Sequence, residues 1–432
     1  MRKTRDRNHS RFRQHAFIHT SFTQWICWRA VLSRAKPRKM ALLFAFELLR
    51  LQPLQALSVC SECDAHTSKV LNTSVEFNKI FQKAFPTDYK FSLSEMRPGI
   101  CEATIAFIDG KFYLHNRSRT RFNSIRDEKN TLYLRHKEFF ESLRDQIRQT
   151  ERYIGSSVPN FLFNLETQDN PSCKYPPEEK RTSLFRVKGV VHHSFCSPQL
   201  CDGIFLLPMS YNQNIRASLT TRNLDSKAAE IPWSTRRKKL FWRGSNKGKM
   251  SEYQFFNWKF SEMPRQRAIR LLRKRKDSDV KFGFVPWSEF AQHRYILSLA
   301  GNTYSSLFKH ALRSGSCILR QEERMFEWFE PFLAEWKHYI PVRWDLSDLL
   351  DKLDWAKTND KEAKRISENA RKLGIHLLST KMLSCYTYCG INYFSNLTDH
   401  TLDMDFIQSE FHLVRKVCSS KRSKRNDCFD LV

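Results

Sequence analysis

Glycine is scarce in this chain, at 12 of 432 residues. That composition excludes a long flexible linker or a low-complexity region. No internal repeat is present, which excludes a solenoid built from sequence repeats. Long apolar runs are missing as well. The best candidate, Ala41 to Phe46, is too short to cross a bilayer, and no later stretch could do so. Cys60 and Cys63 form one C-x-x-C, but no second pair follows at a zinc-binding spacing, so a zinc finger is excluded. Acidic residues are nearly absent from residues 1–39, where Asp6 stands alone among many Arg and Lys.

The chain is rich in aromatics, with 34 Phe and 10 Trp, and 41% of its residues are hydrophobic. A disordered chain has far fewer, so a folded core of enzyme size is expected. The net charge of +28 points to an anionic partner. Besides the N-terminus, basic residues cluster from Arg265 to Lys281 and from Arg415 to Arg425. A polyanion-binding protein is one reading of this charge. No recognisable nucleic-acid-binding module accompanies it, so no nucleic-acid partner is expected.

Scattered cysteines, with N-x-S/T sequons at Asn72, Asn116 and Asn396, suit a disulfide-forming secretory lumen, endoplasmic reticulum or Golgi. Lys36 to Lys39, the apolar run after Met40 and the small residues from Ala56 to Ser58 resemble a signal peptide starting at Met40. Glu47 and Arg50 interrupt it. Residues 1–65 are therefore read as a basic extension carrying that segment.

Residues 66–234 read as a first α/β unit. Thr104 to Ile108 and Lys111 to Leu114 are strand-like and joined by Asp109-Gly110, a hairpin signal. Phe161, Leu162, Phe163 and Leu165 mark a buried strand that ends in a turn at Asp169 to Pro171. Residues 235–375 read as a second unit with strands at Lys239 to Trp242, Arg294 to Ala300, Ser316 to Leu319 and Tyr339 to Val342. Helices are expected between them at Ser305 to Arg313 and Arg324 to Trp336. A further helix from Leu346 to Lys357 has Asp345 as its expected N-cap. Another starts near Asp360, with Ala363, Ile366, Ala370 and Leu373 on one face. Alternating strands and helices imply parallel sheets. Residues 376–410 read as a helical segment packing back across the hinge, and 411–432 as a basic tail. A monomer is expected.

Between Leu240 and Leu349, apolar strands end repeatedly in Gly/Ser turns, the way an α/β sheet builds a phosphate site. Arg243 stands at the end of one such strand, followed by Gly244 and Ser245. An arginine there can bind a diphosphate through two charge-assisted hydrogen bonds; spacing alone fits a structural salt bridge equally well.

The blocks Phe241-Trp242-Arg243-Gly244-Ser245, His293-Arg294-Tyr295 leading to Gly301, Phe308-Lys309-His310, Gly315-Ser316, Trp336 to Val342 and Asp345 to Leu349 resemble, in order and spacing, the glycosyltransferase family 90 domain. The resemblance covers roughly residues 100–395, more weakly before 235. It implies a GT-B-type fold: two Rossmann-like domains facing a central cleft that holds a UDP-sugar, UDP-glucose or UDP-xylose. It implies transfer to a protein Ser/Thr or glycan hydroxyl with inversion, no metal and no other cofactor. By motif, Trp242, Arg243, Gly244, Ser245, Gly301, Ser305 and Ser306 would line the donor pocket. Asp169 would be the general base that takes the acceptor proton, and Asp202 would shape the acceptor cleft. A turn-capping role fits Asp169 too.

One departure stands out. The resemblance calls for an arginine where Leu307 stands, with Lys309 or Arg313 as the nearest substitutes. A catalytically weakened sugar-nucleotide or glycan-binding relative is therefore the second reading. Asp277-Ser278-Asp279 and Asp403-Met404-Asp405 fit a metal-binding D-x-D, but neither follows a clear buried strand, and each reads as a solvated pair. His192-His193 has no metal-ligand partner. His338 reads as a satisfied histidine near a sheet edge, and the aromatics from Phe326 to Trp336 as the core face of a helix.

Overall fold

The computed structural model describes residues 73–85, 89–98, 100–101, 103–118, 131–166, 188–192, 204–208, 215–246, 262–301, 305–323, 325–398, 402, 404–414, 417–418 and 428–429. Asp169, Asp202, Cys60, Cys63, the segment after Met40 and the side chain of His192 lie outside them.

The N-terminal half contains α1 (Thr73–Ala84), β1 (Ala103–Ile108), β2 (Lys111–His115), α2 (Thr131–Ile154), β3 (Phe161–Glu166), β4 (Val190–His192), β5 (Ile204–Leu206) and α3 (Ile215–Glu230). The second half contains β6 (Arg237–Gly244), α4 (Pro264–Leu272), β7 (Ser278–Phe282), β8 (His293–Ser298), α5 (Phe308–Arg313), β9 (Cys317–Gln321), β10 (Ile340–Val342), α6 (Leu349–Thr358) and α7 (Asp360–Leu377). The C-terminal part adds α8 (Thr380–Ser395), α9 (Met404–Glu410) and β11 (Phe411–Leu413).

One mixed and one all-parallel sheet, with flanking helices, give the α/β, GT-B-like architecture expected, although the first sheet is not the parallel one the alternation implied. The first has the order β11-β2-β1-β3-β4-β5. β3, β4 and β5 run parallel, whereas β1, β2 and β11 are antiparallel neighbours. The β1–β2 hairpin turns at Asp109 and Gly110, both with positive φ (48° and 80°), the conformation that asparagine, aspartate and glycine tolerate best. All six residues of β3 are buried, as a central strand covered on both faces requires.

The second sheet is parallel throughout, in the order β10-β9-β8-β6-β7. From β6 the chain moves outward to β7, then returns to place β8 on the other side. The strand order therefore reverses between β6 and β8. α7 covers this sheet through Ala363, Ile366, Ala370, Leu373 and Leu377, the apolar face its periodicity predicts. Gly374 lets it approach α5: a Cβ there would lie 2.8 Å from the Leu312 Cβ.

α8 leaves the second sheet and packs on α2, α1 and β3 of the first, the crossing expected of the C-terminal helix. Ser379 caps it by accepting a hydrogen bond from the Met382 amide. Gly390 faces Phe205 and Phe81, with room for no side chain (2.3 Å from an ideal Cβ to Phe205 Cε2). One hydrophobic core runs through both sheets and α8.

Within residues 235–375 local expectations failed in three places. Of the helix expected from Arg324 to Trp336, residues 325–336 form no α-helix; their regular part is a 3-10 turn at Glu330–Phe332. Pro331 and two buried carboxylates, Glu327 and Glu330, bend the segment toward cationic partners. Trp328 and Phe329 still reach the core, while Trp336 is exposed. Second, Leu346 adopts φ 59°, so α6 starts at Leu349 with Asp348, not Asp345, at its N-cap position. The Asp345 carboxylate accepts the Ser347 amide and Asp348 that of Arg343, a turn before the helix. Third, Asp277 and Asp279 are not a solvated pair. Asp279 lies within edge strand β7 and is ion-paired to Arg243 and Lys281, and Asp277 is paired to Arg275 and Lys357.

Candidate active site

Parallel α/β sheets bind ligands outside the carboxyl ends of their strands, where the strand order reverses. Here that point lies between β6 and β8, and the motif-bearing turns follow those two strands.

β6 ends in Trp242, Arg243 and Gly244. Trp242 is buried, and its indole fills the space over Gly244: a Cβ there would sit 2.5 Å from Trp242 Cζ2. This turn therefore needs glycine. The Arg243 guanidinium lies over the Phe241 ring at 4.4 Å. It donates to the carbonyls of Trp242 (2.8 Å) and Asp279 (2.7 Å) and to the Asp279 carboxylate (2.7 Å). Burial resists ionisation of Asp279, but the hydrogen bonds and charge of Arg243, with help from Lys281, hold its carboxyl below the usual range.

The turn after β8 carries Ala300 and Gly301, then Ser305. Ser305 is buried; its hydroxyl accepts from Ser298 (3.1 Å) and its amide donates to the Glu323 carboxylate (3.1 Å). Ser306 is exposed and Gly301 half-buried. Leu307, where an arginine was expected, is a core residue. Neither suggested substitute is unpaired. Lys309 forms a buried ion pair with Glu327 (2.9 Å), and Arg313 pairs with Asp225 of α3.

Sequence reasoning missed Arg265. It belongs to the basic cluster, but its guanidinium donates inward to the Ala300 carbonyl (2.9 Å) and to Ser245 O (2.9 Å) and Oγ (3.2 Å). Met263-Pro264 was the available signal, since proline at the first helical position marks a helix start. Much of that cluster is likewise consumed by ion pairs: Arg270 with Glu262, Arg275 with Asp277 and Asp354.

A cavity of about 270 Å³ lies between α1, β5, the segment after β9, and α8, and Glu323, which accepts the Ser305 amide, is part of its lining. Phe81, Phe205 and Tyr386 line its apolar walls, and Arg320, Glu323 and Glu330 its polar end. Arg320 pairs with Glu330 and lies over the Phe308 ring. Among the described residues no group of three His, Cys, Asp or Glu is arranged to hold a metal ion. No described helix is long and apolar enough to cross a membrane. His338 is the satisfied histidine expected: its Nδ1 accepts the Ala334 amide at 2.9 Å.

The fold and this switch point define an α/β protein of the class that binds ligands beyond the carboxyl ends of parallel strands. A model of the family described as "Glycosyl transferase family 90" matches residues 129–429, and the chain belongs to that family. Protein O-glucosyltransferase 3 of Rattus norvegicus is 37% identical over 100 residues, 23% of this chain and 20% of that protein. Protein O-glucosyltransferase 1 of Homo sapiens is 32% identical over 98 residues, 23% of this chain and 25% of that protein. The matched stretch thus spans a fifth to a quarter of these curated relatives. The crystal structure of a glycosyltransferase from Rickettsia africae ESF-5 aligns with 46% of this chain and 61% of its own, at 12% identity and a TM-score of 0.27.

Proposed function

We propose that this protein is an inverting glycosyltransferase that moves glucose or xylose from a UDP-sugar to a protein Ser/Thr or glycan hydroxyl. The observation that carries the reading is the meeting of the Ser245 and Ala300 turns at the switch point between β6 and β8. In this reading Arg243 and Ser245 face the donor diphosphate. The donors Arg243 does not spend on Asp279 and Trp242 are the ones offered to phosphate. Trp242 and Gly244 shape the turn, and Gly301, Ser305 and Ser306 form the opposite wall.

Asp169 acts as general base. The acceptor oxygen attacks the anomeric carbon from the face opposite UDP, Asp169 takes the hydroxyl proton, and the sugar–phosphate bond breaks with its electron pair going to UDP. Cationic side chains neutralise the departing diphosphate without a metal. A secretory lumen is the proposed compartment, supported by Cys101 and Cys389, which are disulfide-bonded.

Release of UDP from UDP-glucose or UDP-xylose, with a folded or peptide acceptor present, tests the reading. Asp169→Asn is expected to keep UDP-sugar binding and lose transfer; unchanged turnover would remove Asp169 as base. Arg243→Ala is expected to lose UDP binding; normal binding would move the donor site elsewhere. A weakened, binding-only relative is the second reading, favoured by the burial of Leu307 and the engagement of Lys309 and Arg313 in ion pairs. Ready transfer from either sugar nucleotide would rule it out.

A further inference from the structure

Ala300 is held from both sides of its backbone. Its carbonyl accepts from Arg265 Nε at 2.9 Å, and its amide donates to Gln321 Oε1 at 3.0 Å. Arg265 continues to Ser245, at the end of β6. Gln321, fully buried at the end of β9, continues through its Nε2 to the Trp344 carbonyl (2.6 Å), beyond the end of β10. These bonds form one chain, Ser245–Arg265–Ala300–Gln321–Trp344, across the carboxyl ends of four adjacent parallel strands.

Local preference does not explain Arg265. It sits in the first turn of α4, where the helix dipole disfavours a cation. It is half-buried, with its guanidinium 5.6 Å from the Trp242 ring centroid, and it is committed to two carbonyls and a hydroxyl of other segments. A residue placed against its own helix is held by what it does for its neighbours. Gln321, by contrast uncharged and fully buried, is joined at both ends of its amide, so its orientation is fixed by the two backbone groups it joins.

We propose that Arg265 and Gln321 are positioning residues that together set the register of the Ser245 and Ala300 turns, and so pre-form the donor-binding edge. Neither transfers a proton. Their effect is to keep the turns in the geometry a diphosphate needs, so binding energy is not spent on ordering them. This inference rests on the donor site lying at that edge.

The test is calorimetric binding of UDP, with the donor KM and acceptor KM measured separately. Arg265→Lys keeps the charge but cannot bridge Ala300 and Ser245 as the forked guanidinium does. Gln321→Glu keeps the acceptor for the Ala300 amide and loses the donor to Trp344. Each is expected to weaken UDP binding and raise the donor KM about tenfold or more, the scale of one or two lost buried hydrogen bonds. The acceptor KM should be unchanged. Because both act on Ala300, the double variant should lose less than the product of the two single effects. UDP affinity unchanged in both single variants would overturn the proposal, as would equal rises in the two KM values, which indicate general loosening. Wild-type protein that binds no UDP would instead overturn the donor-site reading itself.

Discussion

Arg243 and Asp279 are joined across the adjacent parallel strands β6 and β7 by a 2.7 Å ion pair, and the same guanidinium caps the Asp279 carbonyl. The pair ties the motif strand to the sheet edge and fixes where the Arg243 side chain can point. Asp279→Ala would leave a largely buried guanidinium without its carboxylate. The expected cost is about 1–3 kcal/mol in urea unfolding, together with a changed UDP affinity. An unchanged unfolding midpoint would show that the pair contributes nothing to the edge.

Gly244→Ala places a methyl group against the Trp242 indole, which is itself packed in the core. Neither group can move without opening the turn. A loss of about 1–3 kcal/mol is expected, with a shift in tryptophan fluorescence as the ring is displaced. Full stability with an unshifted spectrum would contradict the close approach.

Lys309 and Glu327 are both buried and paired at 2.9 Å. Lys309→Met alone strands a carboxylate and should cost about 3–5 kcal/mol. Adding Glu327→Leu should recover most of that loss, because no unpaired charge remains. A double variant as unstable as the single one would mean that packing, not charge, sets the penalty.

His338 is neutral in the folded protein, because burial, then the nearby Lys337 charge, press its pKa from 6.5 down to about 4. His310 is pressed the same way, to about 3, by burial and by Lys309 and Arg313. The unfolded chain takes up protons below pH 6.5 that the folded chain refuses. Stability from these histidines is therefore complete above pH 6.5 and falls as the pH drops towards 4. Urea midpoints taken across this window should decline with acid, and His338→Gln should flatten the decline in part. A midpoint independent of pH from 6.5 to 4 in the unaltered protein would contradict the lowered pKa of both rings.

Much of the second half was legible residue by residue. The strands at Phe241, Ile296, Ile318 and Ile340 are short apolar runs, and the Ala363–Leu373 face has a helical period; each signal is local. The ordered motif blocks placed the family. What stayed illegible depends on contacts distant in sequence. Segment 324–336 has a helical aromatic pattern, but Glu327 and Glu330 are drawn to Lys309 and Arg320, so no helix forms. Phe411–Leu413 looked like tail and is a strand, because β2 offers it an open edge.

The sequence by itself determined the alternation of strands and helices, the hairpin at Asp109-Gly110 and the kinship of the chain, since these rest on propensity, periodicity and motif order along one stretch. Only the tertiary structure decided which charges are spent. It bound Arg243 to Asp279, buried Leu307, engaged Lys309 and Arg313 elsewhere, and aimed Arg265 at the turns of two other strands. A charged side chain chooses its partner by distance and burial, and both are properties of the folded arrangement of strands rather than of neighbours in the chain.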